Sequence, residues 1–92
     1  MPKVRFTSHL QRFFPNISEV EVEGKTVGEV LLKLEERFPG LRAYIVDQKG
    51  AVRQHVNIFV SEELIHDRET LSDPVESDSP IYILQALSGG QL

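Results

Sequence analysis

Between Ser18 and Thr26 the hydrophobic period of the chain changes, and that change restricts the fold more than any other feature. In Ser18-Glu19-Val20-Glu21-Val22-Glu23 the valines fall on one side of an extended backbone and the glutamates on the other, a period of two that predicts a half-buried strand. Gly24-Lys25 breaks it. From there Val27, Val30, Leu31, Leu34 and Phe38 recur at offsets of three and four, so they share one stripe of a helix. Thr26 and Glu29 predict its start, because in a Thr-x-x-Glu capping box each side chain satisfies a free amide of the first turn. Pro39-Gly40 predicts its end. A strand with one apolar face beside a helix with one apolar stripe calls for a sheet with a helix laid across it.

The rest of the chain extends that sheet. Val4 and Phe6 alternate with Arg5 and Thr7 and predict a strand that forms a hairpin with the valine–glutamate strand, with His9 to Asn16 as the connection. Leu41 to Val46 reads as a short turn or helix before the polar break Asp47-Gln48-Lys49-Gly50. Val56, Ile58 and Val60 mark a further strand, Ser61-Glu62-Glu63 a tight turn, and Leu64-Ile65 a short extended piece. Leu71-Ser72-Asp73-Pro74-Val75 is expected to cross the sheet edge, and Ile81 to Leu87 is the last strand. This order predicts one α+β domain over 1–87, a mixed sheet packed on one main helix, followed by a flexible tail over 88–92. No repeat or second domain interrupts it.

Composition removes several classes of function. No apolar run approaches the roughly 20 residues of a membrane helix, and Met1 to Thr7 lacks the apolar block of a signal peptide, so a cytoplasmic protein with no membrane partner is expected. Ten basic against fourteen acidic residues give a charge of −4, which does not favour nucleic acid as a partner. The absence of cysteine removes disulfides, thiolate nucleophiles and thiolate metal sites. His9, His55 and His66 lack the close pairing of a metal centre, and Asp73, Glu76 and Asp78 lack the glycine and terminal glutamate of a calcium loop. There is no nucleophile elbow and no phosphate-binding glycine loop. An enzyme is therefore the weakest class, and neither catalytic residues nor a metal site is expected.

Four segments carry a resemblance: Thr26-Val27-Gly28-Glu29-Val30-Leu31, Phe38-Pro39-Gly40-Leu41, Val56-Asn57-Ile58-Phe59-Val60 and Ile83-Leu84-Gln85-Ala86-Leu87-Ser88-Gly89-Gly90. In order and spacing they resemble the ubiquitin-like β-grasp sulfur carriers, which include the small subunit of molybdopterin synthase and the thiamin-pathway sulfur carrier. The resemblance implies that an activating enzyme uses ATP to adenylate the carboxyl of Gly90, and that sulfur then displaces AMP to leave a thiocarboxylate. It further implies a sulfur-accepting enzyme as a partner and no tightly bound cofactor. Two residues without Cβ atoms let Gly89-Gly90 thread a narrow channel, with Ser88 and Gly89 as the recognised approach.

This chain departs from that pattern in continuing through Gln91-Leu92, so Gly90 carries an amide. Processing between Gly90 and Gln91 is therefore expected, and the resemblance implies a zinc metallopeptidase of the deubiquitinase-like kind. Two other readings use the same fold: a modifier joined through Gly90 to a target lysine, and a ubiquitin-like module that binds without activation. If Val56, Ile58 and Val60 face the helix, alternation sends Phe59 outward, and the same logic sends Tyr82 and Leu84 outward beside it when the two strands are neighbours. Phe59, Tyr82 and Leu84 are then the expected partner interface leading to the tail, or, alternatively, Phe59 and Tyr82 serve as a cross-strand pair that stabilises the sheet.

Overall fold

The alternating segments form strands with the expected faces buried. In the computed structural model, which describes residues 1–15 and 17–85 apart from the side chains of Ser8 and His9, β1 spans Lys3–Phe6 and β2 spans Glu19–Glu21. They pair antiparallel with Val4 opposite Val20, so both valines enter the core while Lys3, Arg5, Glu19 and Glu21 stay outside. The connection between them, read from sequence only as His9 to Asn16, contains a helix. Ser8–Gln11 forms a short helix, α1, whose Leu10 is fully buried. One apolar residue in a single turn leaves no period to detect.

The main helix, α2, spans Val27–Arg37 and starts at the capping box. The Glu29 amide donates to Thr26 Oγ1 at 3.2 Å, and Glu29 Oε1 accepts from the Lys25 amide at 2.8 Å. Two further first-turn amides reach across to a distant loop: Val27 N donates to the Asp73 carbonyl and Gly28 N to the Leu71 carbonyl. The segment Leu71 to Val75 therefore lies against the start of α2, with Thr26 and Pro74 bridged, where the sequence reading had it crossing the sheet edge. Free amides at a helix start need acceptors, and this loop supplies them.

Val27, Val30, Leu31 and Leu34 of α2 are all buried, and burying a side chain of this size fully stabilises the fold by roughly 1.5–3 kcal/mol. Gly24 makes the approach of β2 to α2 possible, since a Cβ there would meet Val30 Cγ2 at 2.7 Å and the Val30 backbone nitrogen at 2.9 Å. At the other end Glu35 accepts from the Gly40 and Arg42 amides, each at 2.9 Å, and joins α2 to the short helix α3, Arg42–Ile45. Arg37 Nη1 donates to the Glu21 carbonyl and ties α2 to β2.

Strand β3, Val56–Val60, turns into β4, Glu63–Leu64, through Ser61 and Glu62, whose φ values of 50° and 70° give the left-handed pair a two-residue hairpin needs. Glu63, read from sequence as part of the turn, instead pairs with Val60. The last strand, β5, runs over Pro80–Gln85. The sheet order is β2-β1-β5-β3-β4, with β1 and β5 parallel and the other pairs antiparallel. Strand β5 thus occupies the centre, and one apolar core lies between the inner sheet face and α2.

Candidate functional site

The site begins with the strand that leads to the tail. Along β5 the residues alternate Ile81 inward, Tyr82 outward, Ile83 inward, Leu84 outward, and their exposure follows: 1% and 0% for the isoleucines against 42% for Tyr82, with Leu84 half-buried. Strand β3 is the antiparallel neighbour and places Phe59 directly opposite Tyr82 and Asn57 opposite Leu84. Directly opposed residues share a face, so Phe59, Tyr82 and Leu84 meet on the outer side of the sheet as expected. Phe59 and Tyr82 are cross-strand partners as well as surface residues.

Two more residues join this surface that sequence reasoning left out. Leu64 of β4, 44% exposed, pairs with Phe59, and Arg5 of β1 pairs with Tyr82. One row across the outer face therefore reads Glu19, Arg5, Tyr82, Phe59, Leu64. A three-residue turn at Ser61 would have put β4 out of register; the observed two-residue turn sets Leu64 beside Phe59. Arg5 follows only once β1 is known to lie against β5, an adjacency between opposite ends of the chain.

The face is divided by chemistry. Toward β2 it is ionic, with Lys3 Nζ 4.0 Å from Glu19 Oε2, and toward β4 it is apolar. An exposed pair of that kind contributes at most about 1 kcal/mol, so it acts as a solvated border more than as a clamp. Exposed aromatic and aliphatic side chains grouped on a sheet are what a protein partner covers. The residues assigned to the tail, Ser88, Gly89, Gly90 and Gln91, lie outside the described residues.

Other titratable groups are occupied in holding loops. The Asp67 carboxylate accepts from the Ser72 and Thr70 hydroxyls and from the Glu69, Thr70 and Ser72 amides, and the hydroxyls above all hold its pKa well below the usual range. Asp73 accepts from the His66 and Asp67 amides. Asp73 is therefore part of a loop brace. Among the described residues no group of three or more histidine or carboxylate side chains is gathered for a metal. No helix of the described chain is long and apolar enough to cross a membrane.

Known proteins share this architecture throughout. The sulfur carrier protein CysO of Mycobacterium tuberculosis is 29% identical over 73 residues, covering 77% of this chain and 78% of that protein. A chain in the crystal structure of the Amycolatopsis orientalis BexX/CysO complex superposes with a TM-score of 0.85 at 25% identity, over 98% of this chain and 100% of that one. The small archaeal modifier protein 1 of Methanosarcina acetivorans superposes with a TM-score of 0.78 at 25% identity, over 97% of this chain and 95% of its own. The family model described as the ThiS family matches residues 4–90, which runs from β1 to the second tail glycine. With that match and this fold, the chain belongs to the ThiS family of ubiquitin-like β-grasp sulfur carriers.

Proposed function

We propose that the protein is a sulfur carrier released from a precursor: a peptidase removes Gln91-Leu92, an activating enzyme adenylates Gly90, and sulfur replaces AMP to give a thiocarboxylate for a biosynthetic acceptor. The observation that carries this reading is the apolar outer face of β5 and β3, which stands on the strand that continues into Ser88-Gly89-Gly90. A carboxylate resists nucleophiles because of its charge. Transfer of AMP from ATP, with release of pyrophosphate, converts it to a mixed anhydride with a good leaving group. Sulfide-level sulfur then attacks the carbonyl and AMP departs to leave the thiocarboxylate; later the acceptor bonds to that sulfur, and water cleaves the acyl–sulfur bond and supplies the oxygen of the restored carboxylate.

Docking and chemistry are separate tasks in this scheme. Phe59, Leu64, Tyr82 and Leu84 hold the domain on an enzyme, and the tail enters that enzyme's ATP site. Ser88 and Gly89 form the stretch that threads the channel, and the glycines admit conformations closed to other residues. The test uses the chain shortened to end at Gly90, mixed with ATP, a sulfur donor and an activating enzyme of a ThiS-family system, followed by intact mass measurement. Replacement of one oxygen by sulfur, about sixteen mass units, is expected. Persistent absence of both the AMP adduct and the thiocarboxylate, with a carrier known to be accepted by that enzyme turning over alongside, would refute the proposal.

A second reading, a modifier joined through an isopeptide bond to a target lysine, draws support from the superposition on small archaeal modifier protein 1. It uses the same adenylate and differs only in the nucleophile. Antibody-detected ladders in lysate that disappear when Gly90 is deleted distinguish it from sulfur transfer.

A further inference from the structure

The inward face of β5 holds one polar side chain. After Ile81 and Ile83, the next inward position is Gln85, 8% exposed. Burying an amide there is unfavourable unless hydrogen bonds compensate it, and an apolar residue would have no such requirement. Gln85 Nε2 donates to the Tyr44 carbonyl at 3.2 Å and lies 3.4 Å from His55 Nε2, which accepts when His55 carries its proton on Nδ1. The Gln85 backbone nitrogen donates to Thr7 Oγ1 at 3.4 Å. Compensation is still incomplete, because Gln85 Oε1 is buried with no partner among the described residues.

A residue kept inside at that cost is held from three directions: by α3 through Tyr44, by the turn before β3 through His55, and by the end of β1 through Thr7. It is also the last described residue of β5, five positions before Gly90, with Ala86 and Leu87 of the expected strand lying outside the described residues. Once the outer face is docked, delivery of Gly90 is an intramolecular event whose effective concentration depends on where the tether starts. Five extended residues reach at most about 17 Å, so the position of the root limits which points the Gly90 carboxyl can reach.

We propose that Gln85 is a positioning residue that fixes the point from which the tail reaches a partner's active site. This rests on the adenylation reading given above. Because Gln85 points away from the outer face, its loss should reduce turnover and leave docking intact. In pyrophosphate exchange with the Gly90-terminated chain, Gln85→Met is expected to lower kcat about tenfold with KM for the carrier unchanged, because misplacing the reacting group raises the barrier while the docking contacts stay intact. Phe59→Ser should do the reverse and raise KM. His55→Gln keeps an acceptor and should stay near the parent, whereas His55→Leu should lose part of kcat.

A second measurement does not depend on an activating enzyme. The chain has no cysteine, so Lys33→Cys on α2 and Leu87→Cys can carry a unique pair of spin labels in the full-length protein. Gln85→Met and, should that variant fold poorly, His55→Leu are expected to broaden the distance distribution between the labels. A folded variant with a distribution unchanged from the parent overturns the proposal, as does an unchanged kcat. If the parent is not adenylated but the distribution broadens, the failure belongs to the adenylation reading and the positioning role stands.

Discussion

The two faces of the central strands are built from alternate residues of the same segments and differ in what their composition is for. Inward, Val4, Val20, Val56, Ile58, Ile81 and Ile83 are buried against α2, and folding accounts for all of them. Outward, Leu64 and Tyr82 are exposed and Phe59 and Leu84 half-buried, all four apolar, while Arg5, Lys3 and Glu19 on the same face are ordinary surface residues. Apolar residues where water should be, and one amide where apolar residues should be, are the two departures from alternation. The amide is on β5, and the outward apolar residues lie on β5, β3 and β4, on the side of the sheet away from β2. Departures of this kind are expected at functional or strained sites.

The comparison is broken if the two faces respond alike to truncation. Ile83→Ala removes a fully buried side chain at the sheet centre and is expected to cost about 2–5 kcal/mol, read as a fall in denaturant midpoint with unchanged slope. Phe59→Ser on the opposite face should cost under half as much while weakening a ThiS-family activating enzyme at least tenfold in a binding titration. Equal losses of stability, or unchanged affinity for Phe59→Ser, would remove the basis for treating the outer face as an interface.

Smaller effects sharpen how the helix is held against the inner face. Thr26→Ala removes the acceptor for the Glu29 amide and should cost about 1 kcal/mol in chemical denaturation, with partner affinity unchanged. Asp67→Ala should lower the Tm near neutral pH by releasing the loop that supplies acceptors to the start of α2. The hydroxyls of Ser72 and Thr70 lower the Asp67 pKa in the folded state, so its contribution is complete above the unfolded value near 4 and is lost as pH falls below it. The Tm difference between parent and Asp67→Ala should therefore shrink as the pH is lowered past about 4. Glu35, lowered chiefly by the Gly40 and Arg42 amides, is common to both proteins and cancels in that difference.

Much of this was legible in the order of the residues. The valine–glutamate alternation, the capping box and the helical stripe each describe interactions within a few positions; the cap was found where the pattern put it, while the strand is shorter than the pattern, Glu19–Glu21, and Phe38 of the stripe caps the helix end. The outward set Phe59, Tyr82 and Leu84 also followed, because alternation alone assigns a face once two strands are neighbours. Leu64 was missed through the length of one turn, and α1 through the shortness of its apolar signal. Gln85 was within reach: it follows Ile81 and Ile83 at the same spacing, and a glutamine in that register is a polar residue aimed at the core.

The sequence by itself determined which segments extend, which one coils, and that the chain carries a glycine pair beyond its last strand, since these depend on side-chain period and local backbone freedom. The tertiary structure alone decided that β5 is central, that Arg5 and Leu64 join the outer row, and that Tyr44, His55 and Thr7 converge on Gln85. The reason is distance along the chain. Thr7 and Gln85 are 78 positions apart, and only the parallel pairing of the first and last strands brings their hydrogen-bonding groups together.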